Sequence, residues 1–152
     1  TMATLLSKQI TNKVPVPSAN GATGIIFLLG DYTLTGSEAS GDELEMVVLP
    51  AGYVPIDIIV DTQDLGTTVT ADVGIMSGTP GTTSTRTCGA EFMAAKALGT
   101  TGIYRMDVAG GGRVAPTTAN RGIGFALTTI NTPTAAAVVR MTVMARPQSE
   151  SV

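Results

Sequence analysis

Residues 42–77 read DELEMVVLPAGYVPIDIIVDTQDLGTTVTADVGIMS, and this stretch decides the fold. Three apolar–polar alternations follow one another with turn residues between them. Leu44, Met46 and Val48 alternate with Glu43 and Glu45; Ile56, Ile58 and Val60 with Asp57 and Asp61; Val69, Ala71, Val73 and Ile75 with Thr70, Asp72, Gly74 and Met76. A period of two is the signature of strands with one buried face. Pro50-Ala51-Gly52 and Asp64-Leu65-Gly66 break the runs. The first fits a type I turn starting at Leu49, with proline in second place and glycine in fourth.

The pattern extends in both directions. Upstream, Ile25–Leu29 leads through Gly30 into Asp31–Thr35, with Ile26, Leu28, Tyr32 and Leu34 on one face and Gly30 at a bulge. Downstream lie strands at Ile103–Val108, at Ile123, Phe125 and Leu127, and at Val139, Met141, Val143 and Ala145. Ser77–Gly89 is a long loop of small residues. Ala90–Leu98 is rich in strong helix formers with Gly99 beyond its end, which predicts one short helix. The expected fold is all-β: a two-sheet antiparallel sandwich, jelly-roll-like, with at most one short helix. Residues 1–24, with Val14-Pro15-Val16-Pro17, are expected to form an extended N-terminal arm. Residues 25–146 form the sandwich and 147–152 a polar tail. The expected core is Leu28, Leu34, Leu44, Met46, Val48, Ile56, Ile58, Val60, Val73, Ile75, Phe125, Leu127, Met141 and Val143.

Composition narrows the function. The chain has no histidine, no tryptophan and one cysteine. A Ser-His-Asp triad is impossible, and the commonest general base and metal ligand are missing. Cys88 has no partner for an intrachain disulfide and no histidine to activate it. Net charge is −3, and Lys8, Lys13, Arg86, Lys96, Arg105, Arg113, Arg121, Arg140 and Arg146 are scattered, so no basic stripe offers a nucleic-acid footprint. No apolar run approaches the roughly 20 residues of a membrane span, and the N-terminal residues do not read as a signal peptide.

The remaining candidates are weak as chemistry. Asp57, Asp61 and Asp72 could present oxygen ligands to Ca²⁺, although their spacing matches no calcium loop. Glu43 and Glu45 lack the aromatic platform that accompanies a glycosidase acid pair. Gly110-Gly111-Gly112-Arg113 lacks the lysine–serine/threonine ending of a P-loop and reads as a turn. The expectation is therefore a non-enzymatic chain with no catalytic residue, cofactor or metal. Val47, Leu49, Ile59, Val138 and Met144 fall opposite the expected core; neighbouring apolar residues on an outer face make a protein-contact surface.

Glu45–Pro55, Asp57–Asp61, Asp64–Gly66 and Val73–Gly78, with the closing run Ala135–Pro147, resemble small structural proteins of tailed bacteriophages. That group includes jelly-roll head cement, or decoration, proteins. The resemblance implies a partner in the major capsid protein, self-association as a homodimer or homotrimer, and a place on the capsid exterior after assembly in the host cytoplasm. It brings no catalytic residue with it. The alternative from the same group is a tail or fibre component that binds host-surface glycans. It needs exposed aromatics, and most of Phe27, Tyr32, Tyr53, Phe92, Tyr104 and Phe125 are expected to be buried.

Overall fold

The computed structural model describes residues 2–11 and 24–148. The rest of the expected arm, 12–23 with Thr1, and the tail residues 149–152 lie outside the described residues. The strands are β1 (Thr4–Leu6), β2 (Ile26–Thr33), β3 (Glu43–Leu49), β4 (Tyr53–Thr62), β5 (Gly66–Thr67), β6 (Thr70–Met76), β7 (Met93–Ala97), β8 (Gly102–Arg105), β9 (Arg121–Thr129), β10 (Thr132–Pro133) and β11 (Val138–Pro147). One helical turn, α1 (Lys8–Thr11), and a 3-10 turn at Gly111–Arg113 are also present among the described residues.

The strands form a five-stranded sheet, β1-β3-β9-β6-β7, and a four-stranded sheet, β2-β11-β4-β8. Apart from β1 and the two-residue ladder β5–β10, eight main strands remain. Ranked along the chain, they lie in the orders 2-7-4-5 and 1-8-3-6, which is jelly-roll connectivity. The two inner faces meet over one core. Leu28, Leu44, Ile58, Val60, Val73, Phe125, Met141 and Val143 are all buried in it, as the alternation predicts.

Tertiary context changes several local expectations. Ala90–Leu98 is not a helix. Met93–Ala97 pairs with β6, Phe92 N–H donates to the Val73 carbonyl, and Leu98 N–H donates to the Val69 carbonyl. An extended path buries Phe92, Met93 and Leu98 together and covers one side of β6. That gain outweighs the local helix propensity of the intervening alanines, one of which, Ala95, takes φ +47°. In β3 the register with β9 shifts between Glu45 and Val47, so Met46 is an extra residue. The shift turns Val47 and Leu49 into the core and leaves Val48 half-buried, reversing the expected faces beyond that point. Ile56 and Ile75 are likewise only half-buried.

Gly30 is not a bulge, since β2 and β11 pair without a register shift. Its need is for space: a Cβ there would lie 2.4 Å from the Met46 carbonyl oxygen, where β2 crosses β3. The turn after β3 is displaced by one residue. Tyr53 N–H donates to the Pro50 carbonyl, and Gly52, at φ +77°, takes the third position as in a type II turn. Part of the expected arm belongs to the sandwich, because β1 pairs in parallel with β3, Thr4 opposite Glu43 and Leu6 opposite Glu45. Ser7 Oγ donates to the Met46 carbonyl at 2.6 Å, and Thr4 Oγ1 donates to the Ser84 carbonyl at 2.9 Å.

Candidate interaction surface

The two sheets differ in what covers their outer faces. On the five-stranded sheet, Gly74 on β6 pairs with Gly124 on β9, and Gly122 lies two residues along β9 on the same face, so the three leave a shallow trough. The loop from Ser77 to Phe92 lies in it. A Cβ on Gly74 would stand 2.1 Å from the Gly89 carbonyl oxygen, and one on Gly122 would stand 2.5 Å from Glu45 Oε1. Glu45 and Arg86 meet beneath the loop as a buried ion pair, with side-chain exposures of 0% and 1%. Gly81 N–H also donates to Glu45 Oε2 at 3.0 Å, and Arg86 Nε donates to the Ser77 carbonyl at 2.6 Å. The alternation placed Glu43 and Glu45 in solvent; the loop encloses both.

Glu43 sits in the same covered layer. One of its oxygens, Oε2, is buried without a hydrogen-bond partner. Desolvation, reinforced by Asp72 and Asp42, pushes its carboxyl up to about 7, against the opposing donation from the Cys88 N–H. Burial pushes the Cys88 thiol far above its usual range, with Glu43 adding to the effect, so it is no nucleophile at neutral pH. The carboxylates singled out for calcium do not converge. Asp57 and Asp61 lie on β4 in one sheet and Asp72 on β6 in the other. Asp57 pairs with Arg105, and Asp72 accepts from the Ala95 N–H at 2.7 Å. Among the described residues no cluster of histidine, cysteine, aspartate or glutamate could hold a metal ion. Gly110, at φ +92°, leads into the 3-10 turn, whose Gly111 packs on Met106; this run is a packed turn.

The outer face of the four-stranded sheet has no such cover among the described residues. Its cross-strand rows are fixed by register. Phe27, Met144 and Asp57 form one row; Leu29, Thr142, Ile59 and Arg105 the next; Asp31, Arg140, Asp61 and Ile103 a third. Residues opposite one another share a face, so Phe27, Leu29, Met144 and Ile59 form an apolar patch bordered by paired charges. Ile25 is 53% exposed, Phe27 61% and Leu29 60%. Two successive outward positions of β2, Phe27 and Leu29, and Ile25 just before the strand thus carry large apolar side chains in solvent. An apolar centre with a charged rim is the anatomy of a protein contact. Of the apolar residues expected outside, Ile59, Val138 and Met144 are half-buried on this sheet, whereas Val47 and Leu49 are core. Phe27 and Leu29 were missed as surface residues. Their odd-numbered spacing along β2, opposite Leu28 and Tyr32, is the signal that places them outside.

No family model and no curated protein sequence matches the chain. Solved structures do. A chain from the structure titled "Capsid of Ralstonia phage GP4" is 30% identical, with a TM-score of 0.86, covering 97% of this chain and 99% of that one. A chain from "Cyanophage Pam1 capsid asymmetric unit" is 21% identical, with a TM-score of 0.59, over 84% of this chain and 92% of that one. A chain from "Acidic stable capsid structure of Helicobacter pylori bacteriophage KHP30" shares 11% identity and a TM-score of 0.50, over 81% and 87%. The last two are likenesses of fold.

Proposed function

Because the chain belongs to a family of phage head structural proteins, we propose that it is a capsid cement protein. It binds the outside of the assembled major capsid shell and bridges neighbouring shell subunits. The observation that carries this reading is the apolar face centred on Phe27, Leu29 and Met144, which has no cover among the described residues. Bridging makes each contact intramolecular once the first is formed. Linkage of this kind raises avidity by roughly 10²–10⁴ over a single contact when the geometry allows simultaneous engagement. A protein that binds the mature lattice alone stabilises it by mass action.

The test is addition of the purified chain to phage heads that lack it, followed by sedimentation and cryo-electron microscopy. A high, fixed copy number on the head exterior, with genome release moved to higher temperature, is the expected result. Failure to bind heads, or recovery at low copy number with tails alone, overturns the reading; the second outcome points to the glycan-binding alternative.

A further inference from the structure

The cations scattered along the sequence are sorted by the fold. Lys8 Nζ lies 3.5 Å from Asp31 Oδ2, Arg86 pairs with Glu45, Lys96 with Asp107 and Arg105 with Asp57. Arg140 stands between Asp31 and Asp61 in the strand register. Among the described residues, Arg113, Arg121 and Arg146 form no ion pair with a carboxylate. All three lie at the end of the sandwich where β3 stops and β4 starts. Arg121 opens β9 opposite Leu49, and Arg146 stands near the end of β11 opposite Val54. Arg113 closes the 3-10 turn that packs on β4. Backbone bonds fix these segments to one another: Gly52 N–H donates to the Thr117 carbonyl at 2.9 Å, Gln148 N–H to the Gly52 carbonyl at 2.9 Å, and Ala51 N–H to Asn120 Oδ1 at 3.0 Å. The guanidinium donors are left with weak or no acceptors. Arg121 Nε is buried without a partner, its Nη2 reaches the Tyr53 carbonyl at 3.5 Å, and Arg146 Nη2 reaches the neutral Gln148 Oε1 at 3.3 Å. Burial disfavours the Arg121 charge, and Glu91 opposes that effect while accepting the Ile75 N–H at 2.9 Å. Glu38, Asp42 and Asp64 lie at the other end of the strands, roughly 30 Å away along β4 and beyond the screening length of about 8 Å.

We propose that the end of the sandwich carrying Arg113, Arg121 and Arg146 is a docking surface for an acidic segment of a partner protein. Guanidinium groups take carboxylates through paired, charge-assisted hydrogen bonds, and Arg121 Nε gains the acceptor it lacks. The backbone that carries the arginines is already fixed, so little ordering opposes binding. Two observations favour a protein over a nucleic acid. Arg146 lies two residues beyond Met144 on β11, hence on the same face of that strand, so the basic end continues into the apolar face. The aromatic residue at this end, Tyr53, is buried and offers no platform on which a base could stack. The net charge of −3 also repels a phosphate backbone at long range. Binding of an acidic chain by an acidic protein must therefore come from these local cations.

The test uses the full chain and needs no capsid. A fluorescent oligoglutamate peptide is titrated with the protein and followed by anisotropy, beside oligoglutamine and oligothymidine of the same length. The expected result is binding of oligoglutamate in preference to both, weakening as salt is raised. Arg113 and Arg146 are exposed, so the double variant Arg113→Gln with Arg146→Gln is expected to stay folded by circular dichroism and to bind roughly tenfold more weakly. Arg121→Gln, at a half-buried position, is expected to weaken binding as well. Arg140→Gln, whose arginine stands between Asp31 and Asp61, is expected to bind like the wild type. Absence of binding to oligoglutamate overturns the proposal, as does a double variant that binds unchanged or an equal loss in Arg140→Gln. Tighter binding of oligothymidine overturns it in favour of a nucleic-acid surface. Binding of heads by the wild-type chain tests the cement reading separately, so the two can fail independently.

Discussion

Replacing Arg86 with alanine should destabilise the fold far more than an ordinary loop substitution. Arg86 belongs to a loop, yet its side chain is 1% exposed and pairs with Glu45, which is 0% exposed. Both guanidinium end nitrogens reach the Glu45 carboxylate, and Nε holds the Ser77 carbonyl. Without them Glu45 keeps the Gly81 N–H at 3.0 Å as its one described donor. Removing one partner of a buried pair leaves an uncompensated charge and costs roughly 3–5 kcal/mol. That is a large share of the roughly 5–15 kcal/mol that holds a domain together. With a urea dependence of about 2 kcal/mol/M, the unfolding midpoint should fall by roughly 2 M. The second arm is the double variant Arg86→Met with Glu45→Leu, which removes both charges and keeps apolar volume. It should recover at least half of the loss, since the penalty comes from the stranded carboxylate. A single-variant cost below about 1 kcal/mol, or a double variant no more stable than the single one, would refute the argument that the pair neutralises a buried charge.

The same buried layer gives a pH dependence. Glu43 keeps its proton in the folded chain up to about pH 7, whereas the unfolded chain releases it near pH 4.3. Between those values the folded state binds more protons, so stability falls as pH rises and levels off above about 7. Glu43→Gln should remove roughly 2–3 kcal/mol of that slope, visible in denaturation curves at pH 5 and pH 8; an unchanged slope argues against the assignment. Gly74→Ala drives a Cβ into the Gly89 carbonyl, 2.1 Å away, and should cost roughly 1–3 kcal/mol, with faster proteolysis of the Ser77–Phe92 loop. Deleting residues 1–7 removes the Ala3–Glu43 and Glu45–Ser7 backbone bonds and the Thr4 and Ser7 side-chain bonds. Each contributes about 0.5–1.5 kcal/mol. The expected result is a lower melting temperature and concentration-dependent light scattering from the uncovered edge of β3; a chain that melts and scatters like the wild type refutes the role of β1 as an edge cover.

Local alternation was sufficient for the all-β class, for the places of most strands and for most of the core, because a period of two requires only neighbours in sequence. Ile58, Val60, Val73, Phe125 and Met141 are buried by that rule alone. It also carried the resemblance to phage head proteins, through turn residues that stay local. Tertiary structure decided what lies over each outer face and which strand ends at an edge. Glu45 alternates like a solvent-facing residue; it is buried because Arg86, 41 positions later, returns over a trough of glycines on other strands. Ala90–Leu98 carries a helical preference and becomes a strand because β6 offers it backbone partners and a place to bury Phe92. Phe27 and Leu29 look like any odd positions of a strand. Their meaning comes from β2 lying at the edge of its sheet, with no loop above it among the described residues, which follows from long-range pairing that no local pattern encodes.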